Sequence, residues 1–246
     1  MQIFSIHHSG STAILLRFKQ EISEEVNNQV IATEKQLLES IKNGEIYGID
    51  EIVSAYASLL IYFDPCCISA ESLIDFLKNL KLDKANQSTS LCLEVPLCYD
   101  ESFGLDLESV CAHCKCSKDE LITLHTSPYY RVFMLGFMAG FPYLGGLDSR
   151  LFTPRLPAPR TSIEAGSVGI ADKQTGIYPI KSPGGWNIIA QSPLEFFDKN
   201  DKTNPTLLKA GMLLKFRAID RNEFDDIKKQ VAQKSYKKKI YEYQNN

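Results

Sequence analysis

Two arginines stand directly behind prolines, in Thr153-Pro154-Arg155 and Ala158-Pro159-Arg160-Thr161. A guanidinium presents a planar fork of donors suited to carboxylate or phosphate, and a preceding proline stiffens the segment that carries it. Loop arginines also close internal salt bridges, and Asp148 and Glu164 are partners of that kind. His125 falls at the end of an expected helix, just before Ser127-Pro128. An imidazole titrates near neutrality and can act as general acid or base. The helix dipole alone also favours a histidine there. Gln174-Thr175-Gly176 and Ser182-Pro183-Gly184-Gly185-Trp186 are glycine loops. Their N–H groups can hold an oxyanion or phosphate, or they are tight turns with Trp186 in the core. Cys111, Cys114 and Cys116 surround His113 in CAHCKC, which invites a zinc reading. Structural zinc usually takes two well-separated ligand pairs, and no second pair stands out, so no metal ligand is expected. Cys66-Cys67 suits a shared metal even less, and His7 and His8 look incidental.

The elements that must position these groups lie between Gly136 and Trp186. Nine of the chain's 14 glycines fall there, with its single tryptophan. Glycine reaches backbone angles closed to other residues and admits close approach. Such a density suits rigid loops that hold a few side chains in place. Beyond Gly166, strand-sized runs are cut by turn signals: Ser167 to Ala171, Gly176 to Ile180 and Trp186 to Ala190. Met212 to Ile219 alternates, with Met212, Leu214, Phe216 and Ala218 on one face. Many short strands with frequent turns indicate a barrel or a sandwich. Before the core stretch, Leu105 to His113 reads as a helix. Ser117-Lys118-Asp119-Glu120 is a capping box opening another.

The first 88 residues have a different rhythm. Ala13 to Phe18 is strand-like, and Ser23 then caps a helix with Glu24 and Glu25 in its first turn. Asn43-Gly44 stops it, two strand-like runs follow at Glu51 to Tyr56 and Leu59 to Phe63, and Ser69 caps a second helix. Leu91 to Val95 returns to strand and can belong to either domain. Strand, helix, strand, strand, helix, strand is the ferredoxin-like, split βαβ arrangement, one antiparallel sheet carrying two helices. The polar stretch Asp83 to Ser90 reads as the linker. The expected domains are therefore an α+β domain over 1–88, a mainly-β domain over 89–221 and a helical tail over 222–246. The lysine-rich end of that tail reads as a solvated, frayed helix.

Composition sets the outer limits. The chain has 246 residues, 44% hydrophobic and 23% charged, with formal net charge −3. These values suit a soluble globular protein, and the charge predicts no nucleic-acid partner. No apolar run of about 18 residues is present to span a membrane. The N-terminus lacks the marks of a signal peptide, so a cytoplasmic location is expected, with the seven cysteines as reduced thiols. No P-loop, G-x-S-x-G elbow or H-E-x-x-H appears.

Assembled, these residues resemble the family that contains the B-type subunit of 5-oxoprolinase, the first subunit of allophanate hydrolase and the Kip-type sporulation kinase inhibitor. The resemblance runs through Gly10-Ser11-Thr12-Ala13, Ser58 to Pro65, Val95 to Tyr99 and Phe103 to Leu107. It continues in His125 to Tyr130, Gly136 to Leu147, the Thr-Pro-Arg and Pro-Arg-Thr pair and Ala165 to Val168. Gln174 to Pro179 and Ser182 to Trp186 complete it. One departure is Ala139, where the family usually has proline. The tail beyond about Asp220 is not covered.

The resemblance implies a cyclophilin-like barrel after the small α+β domain. It implies a homologous barrel as partner (the C-type subunit of 5-oxoprolinase) and a third, A-type subunit. Together these would open 5-oxo-L-proline to L-glutamate at the expense of ATP with magnesium, bound in this chain or in a partner. On that reading the expected catalytic residues are His125, Arg155 and Arg160. Gln174, Thr175, Tyr178, Gly184 and Gly185 would bind substrate or phosphate. The same motif residues can instead build the interface with the partner barrel. Two other activities stay open on resemblance: inhibition of a histidine kinase, and action on allophanate or a related urea derivative.

Overall fold

The computed structural model describes residues 3–80 and 90–244. The chain divides into two compact units, one ending at Ser88 and the next beginning at Thr89. The linker-like stretch lies almost wholly outside the described residues.

The first unit is a four-stranded antiparallel sheet with two helices. Its elements are β1 (Ser5–His8), β2 (Ala13–Arg17), α1 (Glu24–Lys42), β3 (Ile49–Ser54), β4 (Ser58–Phe63) and α2 (Ala70–Asn79). Both helices start where side chains accept orphan amides: Ser23 from the Val26 N–H, and Ser69 from the Ser72 N–H. Period-two alternation puts Ile14 and Leu16 of β2 and Leu59, Ile61 and Phe63 of β4 on one face. Val26, Val30, Leu37, Leu73 and Leu77 of the helices pack with them in one core.

The ferredoxin-like connectivity expected from the sequence is corrected here. The sheet order is β1-β2-β4-β3, so the fourth strand is the N-terminal β1 and not Leu91 to Val95. That later run belongs to the second unit as part of β5 (Ser90–Cys98). The N-terminal edge strand is short and carries His7 and His8, which hid its alternation.

The second unit is a closed barrel, not a sandwich. After β5 come α3 (Leu107–Cys114), α4 (Lys118–Thr126), β6 (Tyr129–Leu135) and β7 (Pro142–Gly145). Then follow β8 (Arg160–Ile163), β9 (Ser167–Ala171), β10 (Gln174–Ile177), β11 (Ser182–Gly184), β12 (Asn187–Gln191) and β13 (Leu213–Ile219). α5 (Arg221–Ala232) and β14 (Ile240–Tyr243) end the chain. The strands run β12-β9-β10-β7-β6-β13-β5, and Gln191 of β12 pairs with Cys98 of β5 to close the ring. β13 and β5 are parallel, so the seven-stranded barrel is mixed. β8 and β11 form a separate two-stranded ribbon.

The tail is corrected too. Its lysine-rich end is not a frayed helix: β14 pairs with β5 from Ile240 opposite Leu93 to Tyr243 opposite Ser90. α5 buries Phe224 and Ile227 in the barrel core, so residues after 221 are part of this unit. Ala218, expected on the apolar face of β13, is exposed, while Leu214 and Phe216 are buried as expected.

Two apolar clusters lie on opposite sides of the barrel wall. Inside are Leu93, Val95, Leu97, Val132, Leu144, Val168, Ile170, Ile177, Leu214 and Phe216, joined by Leu107, Val110, Leu121 and Leu124 of α3 and α4. The second cluster holds Phe141, Ile163, Ala171, Tyr178, Trp186 and Ile188, with Met138 and Tyr143 against it. Neighbours in sequence such as Ile170 and Ala171, or Ile188 and Ile189, fall in different clusters, as strand pleating requires.

Candidate functional site

Strand alternation sends the residues singled out in the sequence to both sides of the wall. His125 and Thr175 are inside it. His125 is fully buried at the end of α4, stacked on Phe216 with ring centroids 4.9 Å apart. Its Nε2 lies 3.0 Å from Thr175 Oγ1, and its Nδ1 lies 2.7 Å from the Tyr99 hydroxyl. Thr175 spends its own proton on the Gly169 carbonyl at 3.0 Å. Its oxygen must therefore accept from His125 Nε2–H, which leaves Nδ1 to accept from Tyr99. One neutral tautomer satisfies the whole chain of bonds. Burial lowers the His125 pKa to about 3 and pushes the Tyr99 hydroxyl up.

The residue expected to transfer protons, His125, is thus sealed in the core of the barrel. Both ring nitrogens are engaged within the core, and no face of the ring meets solvent. Thr175 is equally buried and serves the same network.

Arg160 and Arg155 lie on the other side, and of the two only Arg160 has an ion-pair partner among the described residues. Arg160 makes a two-pronged ion pair with Asp106, Nη1 to Oδ2 at 2.8 Å and Nη2 to Oδ1 at 2.6 Å. Asp106 also accepts from the Ile188 N–H at 2.7 Å, and its own N–H donates to the Ile188 carbonyl. The pair thus ties the start of α3 to β12 and β8. Asp148 and Glu164, the partners considered from sequence, are engaged with Arg150 and Lys181. Arg160, expected to be catalytic, is thus engaged with Asp106. Asp106 was missed because it lies 54 residues away in sequence.

Arg155 is exposed and makes no hydrogen bond or ion pair with another described residue. The segment that carries it is held: the Leu156 N–H donates to the Gly185 carbonyl at 2.8 Å. Gly184 sits opposite Arg160 in the β8–β11 ribbon. A Cβ on Gly184 would stand 2.2 Å from the Tyr178 hydroxyl, so only glycine lets that oxygen approach. Burial pushes the Tyr178 hydroxyl up, opposed by a hydrogen bond from the Trp186 backbone and by the charges of Arg155 and Arg160. Gly176 meets the rings of Trp186 and Phe141 where a Cβ would be, at 2.9 and 3.0 Å. Gln174 is half-buried at the start of β10, opposite Ala171. Ser182 Oγ is a buried hydroxyl without a partner among the described residues.

The arrangement is thus a free guanidinium on a proline-stiffened segment, braced by a glycine loop and a buried tyrosine. Such a group binds a carboxylate or phosphate oxygen and stabilises charge developing on it. Among the described residues no group of three His, Cys, Asp or Glu side chains is placed to hold a metal ion. The CAHCKC cysteines are free thiols, half-buried around the end of α3. No described helix is long and apolar enough to cross a membrane.

Known proteins are similar to this chain in fold and sequence. The model of the carboxyltransferase domain, subdomain C and D, matches residues 4–208. The B-type subunit of 5-oxoprolinase from Bacillus subtilis (strain 168) is 36% identical over 92% of this chain and 98% of its own length. Its counterpart from Haemophilus influenzae, also a B-type 5-oxoprolinase subunit, is 41% identical over 68% of this chain and 78% of its own. The crystal structure of TTHA0988 superposes with a TM-score of 0.74 at 36% identity, over 85% of this chain. This chain spans 40% of the length of the TTHA0988 chain.

Proposed function

The chain belongs to the family of B-type 5-oxoprolinase subunits, and from that premise we propose that it is one subunit of a 5-oxoprolinase complex. The complex hydrolyses the lactam of 5-oxo-L-proline to L-glutamate in an ATP-dependent reaction. The observation that carries a role for this chain is Arg155, an exposed guanidinium without a counter-ion among the described residues, held beside the Tyr178–Gly184 contact.

An unstrained five-membered lactam resists water, and ATP supplies the activation of its carbonyl oxygen. In this reading Arg155 binds an anionic oxygen, that of the substrate carboxylate or of a phosphate. Gly184 and Gly185 keep the adjoining backbone close, and the buried Tyr178 fixes their position. Arg160 orients the ribbon through Asp106. His125 and Thr175 hold the barrel wall from within and touch no substrate. This chain has no P-loop, and its described residues offer no acidic cluster for magnesium. In this reading ATP with its magnesium ion binds in the assembled complex, in this chain or in a partner.

The test is reconstitution. The chain alone, supplied with 5-oxoproline, ATP and magnesium, should release no glutamate, and addition of the partner subunits should start release. A complete mixture that leaves 5-oxoproline unopened ends this reading.

A further inference from the structure

The connection between β12 and β13 and the segment that leaves α5 line the two sides of a cavity of about 500 Å³. The first wall is a hairpin-like loop in which Phe197 bridges Thr206. The Leu207 N–H donates to the Phe196 carbonyl at 2.9 Å, and the Asp198 N–H to the Pro205 carbonyl at 2.8 Å. Asp201 fixes the tip by accepting the Thr203 and Asn204 N–H groups. The second wall begins where α5 stops. Lys234 takes the left-handed position after the helix, with φ +56°, a place where glycine is commoner. Its N–H donates to the Val231 carbonyl at 3.0 Å, and the Ser235 N–H to the Gln230 carbonyl at 2.9 Å. Further on, Lys239 bonds Glu94 through its ammonium at 2.6 Å, and its carbonyl accepts the Glu94 N–H at 3.0 Å. Each wall is held by backbone bonds of its own, so the gap belongs to the fold.

The two walls carry opposite charges that do not meet. Glu195, Asp198 and Asp201 line the loop side, and Lys234 and Lys238 the tail side. None of these five forms an ion pair with another described residue. Lys209, also on the loop side, donates to Asn204 Oδ1 at 3.2 Å. The half-buried rings of Phe197 and Tyr236 complete the lining. Opposite charges held apart leave their attraction unused until something carrying both signs lies between them. A ligand of one sign is drawn to one wall and repelled by the other. A zwitterion with well-separated ends satisfies both. The charges of a free amino acid sit on a single carbon, whereas the backbone of a short peptide spaces them. The volume lies within the range of small-molecule sites.

We propose that this cavity binds short peptides with free ends. The terminal ammonium faces Glu195, Asp198 and Asp201, the terminal carboxylate faces Lys234 and Lys238, and an apolar side chain lies against Phe197 and Tyr236. The tail wall is beyond residue 208, where the match to the carboxyltransferase-domain model ends. The lining includes neither Arg155 nor its glycine loops, so the proposal stands whatever the outcome of the subunit reading.

Calorimetric titration of the full chain with the tripeptide Ala-Phe-Ala tests this. Saturable binding is expected with Kd at or below about 1 mM. Acetylating its N-terminus or amidating its C-terminus should each weaken binding at least about tenfold. Lys238→Gln should weaken the free tripeptide by a similar factor and leave the amidated form unchanged. Glu195→Gln should do the same for the free and acetylated forms. Lys234→Gly removes an ammonium but suits the left-handed backbone, so binding should fall while the melting temperature holds or rises. No saturable binding below about 10 mM overturns the proposal, as does equal affinity for free and capped peptides. Free phenylalanine binding as tightly as the tripeptide overturns the separated-charge argument. Tighter binding of inorganic pyrophosphate or of spermidine marks a site for one sign of charge and overturns it too.

Discussion

At the scale of residues, the buried imidazole makes the stability of the barrel depend on acid. His125 is neutral when folded, with its pKa lowered to about 3 by burial. In the unfolded chain it takes up a proton near pH 6.5. Between those values the unfolded state binds more protons, so stability rises with pH. The contribution is complete above about pH 6.5 and is lost toward pH 3, at about 1.4 kcal/mol per unit. Denaturant unfolding at pH 7, 6, 5 and 4 should show His125→Gln with a shallower fall than the parent; parallel curves would refute the sealed, neutral assignment. The two arginines should part in the same experiment. Arg160→Ala strips Asp106 of its partner in a mostly buried pair and should cost about 2–3 kcal/mol. Arg155→Ala should cost less than about 0.5 kcal/mol, as expected for an exposed, unpaired side chain. The residue types at these positions were legible in the sequence. Which arginine was free was not, because the carboxylate that claims Arg160 sits before α3, far from it along the chain.

At the scale of elements, caps and alternation were read more easily than edges. Ser23, Ser69 and Ser117 each cap the helix expected behind them, since a side-chain oxygen meeting an orphan N–H is local chemistry. Ser117→Ala should therefore lower stability by about 1 kcal/mol, a fall of about 2–4 °C in melting temperature. β1 and β14 escaped notice because an edge strand needs little apolar content, and its partner settles it. Lys239, within the run taken for a solvated helix, bonds Glu94 at 2.6 Å, and β14 behind it covers the free edge of β5. Glu94 also meets Arg217, which pairs with Glu223 of α5. Removing residues 237–246 should lower the melting temperature of the barrel unit and promote aggregation through the uncovered edge, measured by thermal unfolding with light scattering. A truncated chain that melts with the parent and stays monodisperse would show β14 to be dispensable.

At the scale of the whole molecule, a barrel was foreseeable from many short strands, but its closure was not. The joint between β5 and β12 pairs residues from distant parts of the unit, and period-two patterns carry no record of such partners. The same wall explains why a site expected to gather around one anion was divided. Two neighbours in one strand, Thr175 and Gly176, face opposite sides, and His125 went with the inner one. What remains outside is the glycine-braced segment of Arg155. Gly184→Ala would force the Tyr178 hydroxyl away and should lower both stability and the activity of the assembled complex.

The most direct measurement is the rate of glutamate release by the reconstituted complex with Arg155→Ala in place of the parent chain, taken alongside its melting temperature. The account predicts a fall in kcat/KM of at least about a hundredfold, the size expected for losing a charge-assisted contact to a reacting anion. The melting temperature should stay within about 2 °C of the parent. An unchanged kcat/KM in a complex that assembles normally would contradict it.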